Sequence, residues 1–308
     1  MSRQPRENTA RSRKEQSLSF FFFPFFSFFS KLCRPLMPST VDFAECRFCA
    51  RTVQTNVLRL VFEGIKEILQ DCNLIVSPEG IKVVCPEQTN RVLVHMKLNA
   101  KNFDEFYCAE DRILVGLHLQ QFHNLIKNAH NNDTITLFVL KDVPHKIGIH
   151  IDHGDQDHNK MTRINLSLLN IDDNHYEIPA ITFSYVIRVS TIELQRTFRE
   201  MSKYETVTIM AVQKQLIFSA SNDASDMERI FTENPNENMT FLTSPAESST
   251  IVQGRFSLKH LYQFTKCSNL KSVVTIYLEN DKPIIIMYEA GNLGTLKFML
   301  AAKETDAA

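Results

Sequence analysis

From Phe48 onward the hydrophobic positions change period repeatedly, and four segments keep a helical one. Leu58, Val61, Phe62, Ile65, Ile68 and Leu69 make an apolar stripe, while Arg59 and Lys66, seven residues apart, return to nearly one angle on the opposite face. A second segment turns Leu119, Phe122, Leu125 and Ala129 inward and leaves His123 and Lys127 on its polar side. In the third, Leu194, Phe198 and Met201 point inward, and Arg196, Arg199 and Lys203 form one basic stripe at i, i+3 and i+7. The fourth repeats the arrangement with Lys259 and Lys266 outward. Period-two alternation fills the intervals, so each half is predicted to run strand, helix, several strands, a second helix, more strands.

The halves match one another. HLQQFHNLIKNAHNNDTITLFV (residues 118–139) aligns with SLKHLYQFTKCSNLKSVVTIYL (residues 257–278), placing Leu119 on Leu258, Phe122 on Leu261, Leu125 on Phe264, Lys127 on Lys266 and Thr136 on Thr275. The opening units match more weakly, with Leu58 on Leu194 and Phe62 on Phe198. The predicted fold class is α+β: two tandem similar domains, each with two helices packed on antiparallel sheets. The first is expected at residues 47–164 and the second at 181–303, followed by a tail at 304–308. A connector is expected at 165–180, where alternation fails and Asp172, Asp173, Asn174 and Pro179 accumulate.

Composition narrows the function. At 44% hydrophobic and 22% charged residues the chain is globular, which excludes fibrous and wholly disordered classes. With only 8 Gly it has no G-x-x-x-x-G-K-S/T, G-x-G-x-x-G or G-x-S-x-G, so no nucleotide-binding or hydrolase signature and no catalytic residue is assigned. Seven cysteines, odd in number and scattered through apolar segments, point to a reducing compartment. Cys46 and Cys49 form one C-x-x-C without the second pair a zinc site needs. His145, His150, Asp152, His153, Asp155, Asp157 and His158 raise a metal-dependent DNA enzyme as an alternative class, but they read as a strand running into a polar hairpin. No metal and no cofactor are expected.

Residues 1–46 stand apart as a low-complexity leader, expected to be disordered. Residues 1–36 hold seven basic and two acidic side chains, and residues 17–32 read SLSFFFFPFFSFFSKL, the outline of a secretory signal or transit peptide. The run is short for a membrane span and Pro24 breaks it. The preferred reading is a dispensable leader, with Met37 an alternative start.

The chain's formal charge is -1, and without residues 1–36 the body is net acidic, so an anionic partner must be met by a local basic surface. One basic helix face alone reads as a solvated surface. Four faces related by a repeat point to a common surface along which a phosphate backbone runs, bound without sequence preference.

FCARTVQ, FDEFYC (residues 103–108), the connector with its Ile178 and Pro179, FSAS (218–221), LKHLYQFTK (258–266) and GTLKFMLAAK (294–303) together resemble the proliferating cell nuclear antigen family, the eukaryotic-type DNA sliding clamps with relatives in large DNA viruses. The resemblance runs from about residue 48 to residue 303. It implies the DNA clamp fold in a ring-forming homotrimer that encircles double-stranded DNA independently of sequence. It also implies a non-enzymatic polymerase processivity factor, placed on DNA by a clamp loader, in the nucleus or at the site of viral DNA replication. A heterotrimeric checkpoint clamp is the alternative. The resemblance lines the channel with Arg59, Lys66, Lys127, Arg196, Arg199, Lys203, Lys259 and Lys266, while Leu60 and Asn124 stand where relatives carry lysine. It assigns a client-peptide pocket to Val92, Val94, Tyr176, Ile178, Pro283, Ile284, Met299, Ala301 and Ala302. Met299 takes the place of a common aromatic and Ala302 that of the usual proline. Subunit edges are expected near residues 146–151 and 227–233, and the family's modifiable lysine falls near Lys214.

Overall fold

The computed structural model describes residues 42–154, 160–173, 176, 178, 180–237, 239–245 and 250–303; the expected leader lies outside them through Val41. Residues 42–46, assigned to that leader, instead open the fold. Asp42 caps a short 3-10 turn by accepting from the Ala44 N–H at 2.9 Å, and Cys46 is fully buried.

The first half runs β1 (Cys46–Thr52), α1 (Thr55–Lys66), β2 (Asp71–Ser77), β3 (Gly80–Pro86), β4 (Val92–Asn99), β5 (Glu105–Cys108), β6 (Ile113–His118), α2 (Leu119–Ile126), β7 (Thr134–Leu140), β8 (Lys146–Asp152) and β9 (Met161–Ser167). The second retraces that order: β10 (Tyr185–Ser190), α3 (Thr191–Glu200), β11 (Thr206–Val212), β12 (Gln215–Asn222), β13 (Ser225–Thr232), β14 (Thr240–Thr243), β15 (Val252–Ser257), α4 (Leu258–Phe264), β16 (Val273–Leu278), β17 (Ile284–Ala290) and β18 (Gly294–Leu300). The repeat shows in packing as well as order. Leu119 and Leu258, Phe122 and Leu261, Leu58 and Leu194, and Phe62 and Phe198 are all buried, as are both members of the Thr136 and Thr275 pair. Residues 165–167, expected in the connector, complete β9, and the connector proper begins after them.

Three antiparallel sheets follow. Their orders are β5-β1-β7-β8-β9, β13-β12-β11-β15, and a nine-stranded β14-β10-β16-β17-β18-β4-β3-β2-β6. The large sheet is a fusion: five strands of the second half meet four of the first where β18 pairs with β4, from Gly294 opposite Leu98 to Leu300 opposite Val92. By the repeat, β18 corresponds to β9 and β4 to β13, and among the described residues those counterparts are free sheet edges. The edge expected at residues 146–151 is corrected: that segment is β8, paired on one side with β7 and on the other with β9, and its middle five residues are buried. The exposed edge is β9 itself, whereas the edge expected near 227–233 falls on β13.

Cross-strand register sorts the large sheet into two faces. Ile276, Ile286, Phe298 and Val94 form one row across four strands, all buried, on the face that meets the helices. The ring of Phe264 on α4 stacks on Phe298 at 4.7 Å, interplanar angle 8°. The neighbouring row, Tyr277, Ile285, Met299 and Leu93, points the other way because successive side chains alternate. Gly64 lets α1 close on the turn that extends α4: a Cβ built there would lie 1.9 Å from the buried Cys267 Sγ. Gly64→Val is therefore expected to destabilise the protein by about 1–3 kcal/mol through overpacking, read as a lower midpoint in urea unfolding; an unchanged midpoint would show that the seam yields freely.

Candidate nucleic-acid interface and peptide groove

The helices lie side by side. Phe62 of α1 meets Phe122 of α2 with ring centroids 4.6 Å apart, and Gln263 on α4 donates to the Glu67 carbonyl just past α1 at 3.0 Å. Gln195 on α3 reaches the Thr265 carbonyl and the Ser268 hydroxyl in the turn after α4. With their apolar faces on the sheets, the helices turn their polar faces outward together. Lys127, Arg196, Arg199, Lys203, Lys259 and Lys266 are exposed there as expected. Arg59 and Lys66 are half-buried instead. Arg59 donates to the Lys127 carbonyl at 3.2 Å and to Asn56 Oδ1 at 2.6 Å, tying α1 to the end of α2, and Lys66 pairs with Glu67 at 2.8 Å. Arg196 pairs with Glu193 at 3.0 Å, Lys203 donates to Ser225 Oγ at 3.1 Å, and the Lys266 ammonium lies over the Tyr262 ring. Exposed contacts of this kind are worth about 0–1 kcal/mol and exchange readily for a phosphate.

His123, expected on the polar face, is buried. Leu119, Phe122, His123 and Ile126 occupy i, i+3, i+4 and i+7, so the imidazole completes the inward stripe and Leu125 moves to its flank. Burial, with Lys66, Lys127 and Arg59 close by and only Glu63 opposing, lowers its pKa. Leu60, which the resemblance set against a lysine, is buried too.

On the opposite face of the large sheet a groove of about 730 Å³ runs between the connector and the β4–β18 junction. Of the residues assigned to the client pocket, Tyr176, Ile178, Pro283, Met299 and Ala301 line it. Val92, Val94 and Ile284 do not: they are at most 1% exposed and face the helices, and their neighbours Leu93, His95 and Ile285 line the groove in their place. A one-residue shift along a strand exchanges faces. Ala302 opens onto an adjoining cavity beside Arg255, Lys282 and Lys303. Ile181 and Phe183 extend the apolar wall, and Lys82, Arg91 and Lys297 supply cations. His95 Nε2 is buried without a hydrogen-bond partner among the described residues; burial, with Lys297, Lys82 and Lys97 adding to it, pushes the imidazole pKa down to about 4. The connector is held to the first half by Arg112, which grips Asp173 through two bonds of 2.6 and 2.7 Å, and by the Leu169 N–H donating to the Gly116 carbonyl.

The other candidate chemistry disperses. His150 is buried edge-on to Phe138, and His153 spans Asp133 and Thr162 at 3.0 Å each. Asp155, Asp157 and His158 lie outside the described residues. Cys46 and Cys49 are buried free thiols on β1, beside a register irregularity between Cys46 and Phe48. Lys214 stands at the hairpin tip between β11 and β12 with φ 72°, paired with Glu233 at 2.6 Å. Among the described residues no helix is long and apolar enough to cross a membrane.

Two family models, described as proliferating cell nuclear antigen N-terminal domain and C-terminal domain, match residues 47–175 and 177–303. Paramecium bursaria Chlorella virus 1 has a relative, "Probable DNA polymerase sliding clamp 1", 31% identical over 259 residues, covering 82% of this chain and 96% of the relative. The proliferating cell nuclear antigen of Chaetomium thermophilum is 30% identical over 263 residues, covering 83% and 98%. Among solved structures, that of Proliferating Cellular Nuclear Antigen from Entamoeba histolytica shares the fold with a TM-score of 0.74 at 23% identity, covering 84% of this chain and all of that one. Two copied halves fused through one sheet, with a cationic helix layer on one face and a groove on the other, make a clamp subunit in form. The chain belongs to the proliferating cell nuclear antigen family.

Proposed function

We propose that the chain is the subunit of a DNA sliding clamp: three copies close head to tail around duplex DNA and hold a polymerase on it, with no chemistry of their own. One observation carries this reading. The β18–β4 joint inside the chain has its two repeat-related counterparts, β9 and β13, free at the edges of two separate sheets, so the same joint can form between copies. Such a contact is heterologous and closes into a ring when the rotation permits. Because both edges belong to one chain, identical subunits suffice, which favours a homotrimer over a heterotrimeric checkpoint clamp.

The helix layer faces the DNA. Arg59, Lys66, Lys127, Arg196, Arg199, Lys203, Lys259 and Lys266 meet phosphates, which position without reading sequence. Enclosure prevents escape while weak contacts let the ring move. The groove, on the far side of the same sheet, docks clients on the outside through buried apolar anchors. The setting is the nucleus or the site of viral DNA replication, and a loader places the ring. Light scattering of the purified chain tests assembly: a mass three times that of the 35.5 kDa chain is expected, and a monomer that assembles only with other subunits would overturn the homotrimer. Ile178→Ala is expected to weaken a client peptide by about tenfold, ~1.4 kcal/mol, in calorimetry, with DNA retention unchanged; equal affinity removes the groove from client binding.

A further inference from the structure

The groove is apolar along one line and cationic along the next. Across the sheet, Ile285, Met299 and Leu93 sit in register as an apolar row. One step along the strands, Lys297 stands opposite His95, and one step further Lys97 stands opposite Lys82. Arg91 borders the same groove, and no carboxylate lines it among the described residues. Lys82, Arg91 and Lys297 make no ion pair among the described residues, although other cations on the subunit, such as Arg47, Arg112 and Lys214, each hold a carboxylate.

We propose that the groove selects its clients by a carboxylate: the partner is a peptide that seats an apolar anchor on Ile285, Met299 and Leu93 and lays an Asp or Glu side chain against Lys297 and Lys82. This rests on the groove being the client site. An occupant that covers the cations strips water from them, and without an anion of its own it leaves like charges facing each other in a medium that screens them less. A carboxylate removes that penalty by pairing with the ammonium groups. The His95 imidazole stays neutral near pH 7, so the ammonium groups of Lys297 and Lys82 supply the charge.

The test is fluorescence anisotropy of the full chain with labelled synthetic peptides. All carry one Phe-Phe anchor, Glu is moved singly through the flanking positions, and each has a Gln twin. At one position the Glu peptide is expected to bind about tenfold tighter than its twin at low salt, with the ratio shrinking as salt rises. Lys82→Gln with Lys297→Gln should bring that ratio close to one, the Glu peptide losing its advantage and the Gln peptide binding no more weakly than before; a ratio that stays near ten would overturn the assignment to these two cations. Equal binding of Glu and Gln twins at every position, with Ile178→Ala still weakening both, overturns the carboxylate preference and leaves the groove standing. Binding that Ile178→Ala does not touch overturns the groove as client site and this inference with it.

Discussion

Ile230→Glu on β13 is expected to turn the assembled ring into monomers. Ile230 is a large apolar side chain left 50% exposed on a free sheet edge, where a second strand would cover it. An unpaired carboxylate enclosed there costs about 3 kcal/mol at each joint, roughly 100-fold in each association constant, and a closed ring repeats the cost at every joint. Because the side chain is half in solvent in the single chain, folding should survive. Circular dichroism and the unfolding midpoint should match the parent while light scattering reports the single-chain mass and polymerase processivity disappears. A variant that keeps its assembled mass would show that β13 is not a subunit edge.

Replacing Arg196, Arg199 and Lys203 together by Ala is expected to leave the ring whole and remove most of its effect on polymerase. The three lie exposed on the α3 stripe and its 3-10 extension, and of them Lys203 touches the β13 edge, through Ser225 at its first residue. Their contacts with Glu193 and Ser225 are surface ones, so their loss costs little stability. Each phosphate contact removed should make log affinity less steep against log salt by about 0.9. Polymerase stimulation measured from low to physiological salt should therefore fall, with assembled mass unchanged. Stimulation equal to the parent's at every salt concentration would take these cations out of the DNA path.

The helices were readable because their period is redundant: the stripe of α3 is written both by Leu194 and Phe198 inside and by Arg196, Arg199 and Lys203 outside. His123 misled through its polarity, although its place at i+4 from Leu119 puts it within the stripe. The groove was misread by one residue for two different reasons. Val92, Val94, Met96 and Leu98 alternate openly with Leu93, His95 and Lys97, so the inward parity of β4 was available. In β17 the run Ile284, Ile285, Ile286, Met287 is apolar throughout, and only pairing with Met299 and Leu93 shows which member looks outward. The free edge was displaced because β9 carries exposed Thr162, Arg163, Asn165 and Ser167 and reads as the start of the connector, while β8, buried through its centre, depends on long-range pairing that no local pattern records.

The joint between β18 and β4 also differs from its counterparts in one respect. Its two strands belong to a single polypeptide, so parting them means unfolding the subunit, whereas in the proposed ring β9 and β13 would be held only by mass action between separate chains. Any gate through which a duplex enters must therefore swing at those intermolecular seams, and dilution alone should favour its opening.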